Sequence, residues 1–504
     1  MPSNNTRIAK NTMYLYIRMF LIMGVTLYTS RVILDKLGVT DYGLYNVVGG
    51  VVAMLSFLNG TLSIGTSRFI TYELGTGNKE KLWNTFNTSF YTHLFLSVII
   101  IIIMETVGLY FFYNKLVIPE DRVNACFWVF QLSLLTTFVS ITQVPYTSLV
   151  QSHEDFNVYA YISFFEALGK LVICYMVSIT GWDKLITYAT LISLIQIIVA
   201  FYYRVYCNRH YVESHLSLCF DRQIFRGLLG FSGWNIVANL TETLKLQGVV
   251  IIINMFLAPT VVAAQALANQ VSNALMGFIT NFRTAFNPQI IKLYAAGDYD
   301  GSKKLTLQAT VVCYDLVLLL SLPCIYTMKT LMGLWLVEVP EFAVVFTQYI
   351  LVCNIIGTFN ASFYIPMMAA NKIKFNSIAA VFLGLLQFVL LYIVLKNNGG
   401  AMWVPYLNLI AMIGFSVIVK PFVLWKEIDY SIKELLGCYW GCIKVTILSL
   451  VLTLPLYLLM DESITNSLLI ALLSIVAVVV SSVIFMEKNM RSKLYTLILK
   501  RVKH

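Results

Sequence analysis

Charge is scarce in this sequence, and its scarcity excludes most kinds of soluble protein. Only 12% of the 504 residues are Asp, Glu, Lys or Arg, whereas 59% are hydrophobic, and the mean hydropathy is +0.77. A soluble globular domain carries about one quarter charged residues. The composition therefore predicts an integral membrane protein, and the connections between its apolar runs are too short for a sizeable soluble domain.

Several motifs are also missing. The nine cysteines form no CxxC pair and mostly lie inside apolar runs, so we interpret them as small core residues, with no metal site. No GxxxxGK[ST] phosphate loop occurs, which argues against direct use of ATP. The first apolar run, 13–34, is too long for the core of a cleavable signal peptide, so we expect it to stay as the first span.

Fourteen apolar runs reach the roughly 20 residues that cross a bilayer as an α-helix. We therefore expect an all-α integral membrane protein with 14 transmembrane helices. The runs fall at 12–34, 44–67, 87–113, 125–149, 158–179, 185–204, 232–257, 261–284, 306–328, 343–369, 377–396, 402–424, 436–459 and 464–486.

Lysine and arginine are unequally distributed between alternate loops. If the N-terminus is cytoplasmic, 24 of them lie in cytoplasmic segments and six lie outside. The positive-inside rule then predicts that both termini are cytoplasmic. An anionic inner leaflet accounts for the net charge of +10 without a nucleic acid partner.

The two halves of the chain resemble each other at an offset of about 220 residues. Stretch 37–45 matches 257–265, Gly77 matches Gly297, and Pro145 matches Pro366. Such repeats predict two six-helix bundles in parallel pseudo-twofold orientation, at 1–210 and 211–430, followed by two extra helices and a basic cytoplasmic tail at 431–504. A cavity between two such halves is typical of alternating-access carriers.

Four stretches carry a resemblance to a known family. They are LGVTDYGLY at 37–45, TSRFITYELGTGN at 66–78, VPYTSLVQSHEDFNVYAYIS at 144–163 and FNPQIIKLYAAGDYDGSKKL at 286–305. In this order the chain resembles the polysaccharide-transport branch of the MOP superfamily, the Wzx-type lipid-linked oligosaccharide or O-antigen flippases. The resemblance covers nearly the whole chain and implies the MOP flippase fold.

The resemblance also implies a function and a place in the cell. Members of the family move undecaprenyl-diphosphate-linked oligosaccharide units from the cytoplasmic to the periplasmic leaflet of the bacterial inner membrane. The expected partners are this lipid-linked substrate, membrane lipids and polysaccharide polymerase machinery.

Polar residues follow one face of the run at 261–284 and just beyond. At 100° per residue they fall within a sector about 100° wide. They are Gln265, Asn269, Ser272, Asn273, Thr280, Arg283 and Asn287. Because amides both donate and accept hydrogen bonds, we predict that the four amides bind the glycan; hydrogen bonding between helices is the alternative.

Three basic residues are candidates for the lipid diphosphate: Arg18, Lys245 and Arg283. The guanidinium of Arg283 offers a planar fork of donors suited to phosphate oxygens. Arg18 and Lys245 lie inside apolar runs, where a charge costs about 2.5–3.5 kcal/mol on insertion scales and is expected to face a watery cavity or a partner. The family resemblance implies a cationic lumen, to which we assign all three.

Two acids, Glu242 and Asp315, are candidates for coupling to H⁺ or Na⁺, and no other cofactor is expected. Asp315 has no partner on its own run, whereas Glu242 is also placed for an i,i+3 ion pair with Lys245. By contrast, Glu166 and Lys170 stand in the favourable i,i+4 order, which predicts a structural pair.

Three other kinds of protein are weighed against the flippase. A drug antiporter of the related MATE-type branch would favour an acidic lumen for organic cations, whereas basic residues rival the acids here. An enzyme would need reactive side chains outside the bilayer, yet the longest external connection, 329–342, lacks His, Cys and Asp. A structural scaffold leaves the polar face of 261–284 unexplained.

Overall fold

The computed structural model describes residues 4–53, 56–153, 155–228, 243, 247–284, 286–370, 372–461 and 463–486. In these residues the chain forms helices and no strands. Ten of the helices in this part are long and apolar enough to cross a membrane. The all-α, multi-pass membrane architecture is thereby confirmed, while the total of 14 spans stays a prediction.

One compact unit contains Met1–Ala266, Leu336–Glu341 and Gly384–Ala401. Its helices are α1 (Asn4–Ala53), α2 (Ser56–Thr76), α3 (Lys79–Ile103), α4 (Leu109–Asn114), α5 (Val123–Ser152), α6 (Phe156–Ile179), α7 (Lys184–His210) and α8 (Val249–Phe256). A π-helical turn, Met104–Gly108, joins α3 to α4. Helix α1 is interrupted at Gly38, where φ is 81°, so the predicted connection between the first two spans is a kink.

The second unit contains Leu267–Trp335, Phe342–Leu383 and Met402–His504. Two helices, α9 (Pro259–Thr284) and α13 (Lys374–Lys396), have residues in both units. The others are α10 (Asn287–Ala295), α11 (Tyr299–Trp335), α12 (Ala343–Ala369), α14 (Trp403–Ile413), α15 (Lys420–Ile428), α16 (Ile432–Leu459) and α17 (Ile464–Phe485). The predicted three-part division at 1–210, 211–430 and 431–504 stays a prediction.

Two turns show the same local structure at the predicted repeat positions. Gly77 and Gly297 both adopt positive φ, at 72° and 81°. The next residue caps the following helix in each case: Asn78 Oδ1 accepts from the backbone N–H three residues on at 3.0 Å, and Asp298 Oδ1 accepts likewise at 2.9 Å. A glycine before a capping side chain therefore begins both α3 and α11.

Arg122 ties together three segments of the first unit. Its Nε donates to Asp41 Oδ1 at 2.9 Å, and its NH1 donates to Asp183 Oδ2 at 2.6 Å. Asp183 also caps α7 by accepting from the backbone N–H groups of Leu185 and Ile186. The aspartate of the LGVTDYGLY stretch is thus one end of an ion-pair network.

The VPYTSLVQSHEDF stretch makes a second polar cluster where α5 ends. His153 Nε2 lies 2.7 Å from Glu213 Oε1, and the His153 ring stacks on Tyr211 at 4.2 Å. The Tyr211 hydroxyl donates to Asp155. The hydrogen bond from His153 holds the pKa of the Glu213 carboxyl below its usual range. This cluster fastens the turn after α5 to the short 3₁₀ turn Val212–Ser214 that follows α7.

Helix α16 packs beside α11 in the second unit. The Tyr314 hydroxyl lies 2.8 Å from Thr446 Oγ1, and the Tyr326 hydroxyl lies 3.0 Å from Thr453 Oγ1. The side chain of Ser431 and that of Glu434 form a capping box that starts α16. The two C-terminal helices are therefore part of the second unit's core.

Two smaller predictions are confirmed. Lys170 Nζ donates to Glu166 Oε1 at 2.7 Å, and Gln196 Nε2 donates to the same oxygen at 3.1 Å, so this pair of charges is structural. Seven of the nine cysteines are buried, as expected for small core residues.

Candidate functional site

The predicted polar face lies on α9, and its side chains have different surroundings. Gln265 and Asn269 are half-buried and make polar contacts, whereas Asn273 is exposed. Ser272 Oγ and the side-chain amide of Asn354 on α12 exchange hydrogen bonds of 3.2 and 2.9 Å. Part of the polar face therefore joins two helices, and Asn273 is exposed; binding of a glycan by this face stays a prediction.

Asn287 does not continue this face. Helix α9 ends at Thr284, as the run 261–284 predicted, and α10 begins at Asn287. The polar face was extended to Asn287 as if one helix continued, so the angular position of Asn287 does not follow from that of Gln265. Asn287 is the first residue of α10 and is half-buried there.

The side chains of the predicted basic site lie outside the described part of the structure. Arg18 lies on α1 and Arg283 on the last turn of α9, but both side chains fall outside the described part of the structure. Lys245 and Glu242 lie outside the described residues entirely. The assignment of these four residues stays a prediction.

Asp315 lies near the middle of α11, a helix of 37 residues. Its Oδ1 atom is buried and has no hydrogen-bond partner among the described residues. The hydroxyl of Ser482 on α17 interacts with the carboxylate, but Ser482 Oγ also lacks a hydrogen bond of good geometry within that part of the chain. The sequence prediction of an acid without a local partner is consistent with this geometry.

A cavity of about 420 Å³ lies beside Asp315, enclosed by α11, α16 and α17. Most of its lining is apolar, and its charged residues are Lys304, Asp315 and Glu434. The complete lining is Lys304, Leu307, Gln308, Val311, Val312, Asp315, Glu434, Gly437, Cys438, Gly441, Val445, Ser482, Phe485 and Met486. The cavity belongs wholly to the second unit.

Lys420 is a buried cation near the end of the predicted run 402–424. It is 1% exposed, and its ammonium lies 4.9 Å from the ring centre of Tyr364 and 5.3 Å from that of Phe415. Aromatic faces stabilise a desolvated cation. The apolar residues on both sides of Lys420, in VIVKPFVLW, were the available signal that it lies inside a span.

Arg204 is placed similarly in the first unit. Its NH2 donates to Thr142 Oγ1 at 2.9 Å, and its guanidinium lies 5.8 Å from the ring centre of Tyr146. Its Nε is buried without a hydrogen-bond partner among the residues described. Arg204 and Lys420 each lie over a tyrosine near the proline of the helix two spans earlier, Pro145 or Pro366, so the two cations have similar surroundings.

Sequence comparison matches residues 15–176 to the MatE family model. No curated protein matches the chain at a significant level. The family match covers α1 to α6 and is therefore evidence for the first part of the chain.

Solved structures match over most of the chain. An inward-facing multidrug resistance MATE family transporter of the MOP superfamily has a TM-score of 0.67 at 15% identity, covering 82% of this chain and 99% of that one. The lipid II flippase MurJ, in an inward closed conformation, has a TM-score of 0.71 at 12% identity, covering 96% and 100%. The chain has the MOP transporter fold.

Other MOP structures share this fold. A MOP superfamily transporter from Pyrococcus furiosus, described as having a binding pocket of reverse polarity, matches with a TM-score of 0.57 at 17% identity over 82% of this chain and 96% of that one. All three matched proteins are transporters or flippases by their descriptions. The predicted MOP fold is therefore confirmed, whereas the Wzx branch in particular stays a prediction.

Proposed function

We propose that this protein is a MOP-type flippase that moves undecaprenyl-diphosphate-linked oligosaccharide units across the bacterial inner membrane for surface polysaccharide synthesis. The two halves would rock about the bound substrate by alternating access. In this proposal both termini are cytoplasmic, and no chemical step on the substrate is required.

The observation that carries the proposal is the extent of the structural match. The lipid II flippase covers 96% of the chain, while the MATE transporters cover 82 to 84%. Helices α16 and α17 close the described part of the chain and pack into the second unit's core. A match that extends over nearly the whole chain supports a flippase of a large lipid-linked substrate over a drug carrier.

Cations that pack against aromatic rings in the helices support an anionic substrate. Lys420 is buried between Tyr364 and Phe415, and the half-buried Arg204 lies over Tyr146. These two add to the predicted diphosphate ligands Arg18, Lys245 and Arg283. Intramembrane cations are costly and are usually retained for function. A diphosphate carries the charge that such residues would neutralise, whereas an organic cation would be repelled.

Transport in proteoliposomes tests the proposal. A fluorescent undecaprenyl-diphosphate oligosaccharide is reconstituted with native protein or Arg283→Ala, and its transfer between leaflets is followed by quenching from outside. We expect the native protein to flip the lipid and Arg283→Ala to lose at least tenfold in rate, since a lost charge-assisted contact costs about 1.5–3 kcal/mol. Arg209→Ala, which removes an exposed arginine at the end of α7, serves as the matched control.

The runner-up is a MATE-type antiporter of organic cations, which the MatE match over 15–176 favours. The same vesicles loaded with ethidium distinguish the two functions. Efflux of ethidium by native protein that does not flip the lipid would replace the flippase with the antiporter.

A further inference from the structure

The cavity of about 420 Å³ runs along three helices from a charged mouth to Asp315, a half-buried acid whose Oδ1 atom is buried. Lys304 and Glu434 are exposed at the first turns of α11 and α16. Asp315 lies eleven residues beyond Lys304, about 16 Å along the helix axis. That depth is about half of the 30 Å hydrocarbon core of a bilayer.

Two glycines on α16 make room for the cavity. Gly437 and Gly441 stand four residues apart, a spacing that usually lets two membrane helices touch. Here a Cβ atom added at either glycine would meet nothing within 4 Å. The pair therefore forms a groove in front of α11 instead of a close helix contact, and both glycines line the cavity.

Asp315 requires a compensating partner at this depth. Its buried Oδ1 has no hydrogen bond within the described part of the chain, and an ionised carboxylate inside a membrane is strongly unfavourable unless water, a cation or a proton satisfies it. The cavity has room for on the order of ten water molecules. Water entering from the mouth could therefore reach the carboxylate.

The donor set at the end of the cavity favours a proton over a metal cation. Hard cations need about six oxygen ligands, while in the described residues Ser482 is the one side chain whose oxygen is placed to hydrogen-bond the Asp315 carboxylate. The groups of α16 that face this region are Cys438 and Cys442. These thiols do not add oxygen ligands.

The other charged and titratable groups around Asp315 are few. Tyr314 is its neighbour on α11 and donates or accepts a hydrogen bond with Thr446. Lys444 of α16 lies over the rings of Trp440 and Phe485, and Phe485 is part of the cavity wall. Glu434 and Lys304 lie at the mouth, so Asp315 is the carboxylate at the deep end of the cavity.

We propose that this cavity is a one-sided proton pathway in which Asp315 is the proton acceptor, so that α16 and α17 form the coupling element of the transporter. Protons enter between Lys304 and Glu434, pass along water over the two glycines, and bind the carboxylate in the middle of α11. The coupling role rests on the proposed flippase function, whereas the pathway itself does not.

Carbodiimide labelling tests the pathway without any substrate. Dicyclohexylcarbodiimide adds to protonated carboxyl groups in apolar surroundings, and peptide mass spectrometry locates the adduct. We expect Asp315 of the full-length protein in liposomes to be labelled, and labelling to fall as the pH rises. Gly441→Leu, which fills the cavity, should reduce labelling several-fold, and Gly333→Leu, at an exposed glycine of α11 outside the cavity, should not.

Failure to label Asp315, or equal labelling in Gly441→Leu and Gly333→Leu, would overturn the pathway. Glu105, an intramembrane acid that accepts from Gln131 at 3.3 Å, lies in the other unit and provides the internal comparison. A stronger adduct at Glu105 than at Asp315 would also contradict a dedicated route to Asp315.

Flipping assays test the coupling. The rate of transfer of the fluorescent lipid is measured with and without an imposed pH gradient in native protein, Asp315→Asn and the control Glu105→Gln. We expect Asp315→Asn to lose the stimulation by the gradient, while Glu105→Gln keeps it. Undiminished stimulation in Asp315→Asn, or stimulation by a sodium gradient in place of a pH gradient, would refute proton coupling at Asp315.

A failure of the proposed flippase function and a failure of the proton pathway give different results. If native protein labels at Asp315 but never flips the lipid, the proposed function is wrong and the proton pathway stands. If native protein flips the lipid but Asp315 neither labels nor affects the gradient response, the flippase stands and the proton pathway is wrong.

Discussion

Arg122 is the residue outside the candidate site whose replacement we expect to lower the stability of the fold most. It is the shared partner of Asp41 and Asp183, so Arg122→Ala leaves two carboxylates near each other without their counter-charge. We expect a loss of about 2 kcal/mol, because these groups are only partly exposed and the contacts are charge-assisted. The melting temperature of the purified protein in detergent should fall by several degrees.

Arg122→Lys tests whether the positive charge at this position stabilises the protein without the geometry of the guanidinium group. The ammonium keeps the charge but cannot make the paired contacts of the guanidinium fork, so its melting temperature should lie between those of native protein and Arg122→Ala. An unchanged melting temperature in Arg122→Ala would show that the network contributes nothing to stability.

Glu213 makes stability depend on pH. The hydrogen bond from His153 lowers the pKa of its carboxyl in the folded protein, so the unfolded chain binds more protons as the pH approaches the usual glutamate range. The stabilisation is therefore complete above that range and is lost as the pH falls through the lowered pKa. Glu213→Gln should melt below native protein at pH 7, and the difference should shrink towards pH 3.5.

A matched variant isolates this effect. Glu120→Gln neutralises an exposed acid in the short turn before α5 and should leave the pH profile of melting unchanged. If the gap between Glu213→Gln and native protein is the same at pH 7 and pH 3.5, the contact of Glu213 with His153 is not the origin of the stabilisation.

At the scale of elements, the turns at Gly77 and Gly297 should respond alike to substitution. Each has positive φ, a conformation that costs a residue with a Cβ atom about 1 kcal/mol. Gly77→Ala and Gly297→Ala should therefore each lower the melting temperature by a similar small amount. Gly333→Ala, in a helical conformation with free space around it, should raise it slightly.

The helices themselves follow from the sequence more readily than their ends and contacts. Long apolar runs such as 343–369 and 464–486 predict helices within one residue of those found. The end of α9 at Thr284 was predicted by the run 261–284, but the polar sector was wrongly extended past it to Asn287. The open groove at Gly437 and Gly441 was missed because the same spacing serves close packing, and only neighbouring helices decide between the two.

At the scale of the whole molecule, the distribution of Lys and Arg predicts an orientation, which stays a prediction, but it does not predict which of these cations pack against aromatic rings. Arg204 and Lys420 fall at or near the ends of the predicted runs 185–204 and 402–424, and each lies over a tyrosine ring of another helix. A single sequence shows that a cation is near a boundary but not whether an aromatic ring faces it. Burial of Lys420 therefore depends on Tyr364, which is 56 residues away in the chain.

The predicted orientation of the whole chain can be tested with reporter fusions. Alkaline phosphatase is active only outside the cytoplasm, because its disulfides form there. Fusions at 116 and 398, in connections predicted to be external, should be active, and fusions at 77 and 297 should be inactive. Matched fusions of green fluorescent protein at the same four positions should show the opposite pattern and control for expression.

This orientation also decides from which side protons reach Asp315. Residue 297 directly precedes α11, so it lies at the same end of that helix as Lys304 and the mouth of the cavity. An inactive phosphatase at 297 places the mouth in the cytoplasm, and the pathway then loads or releases protons on that side. Activity at 297 together with inactivity at 116 would mean that the whole chain has the opposite orientation in the membrane. The gradient that drives flipping would then have to act from the opposite side.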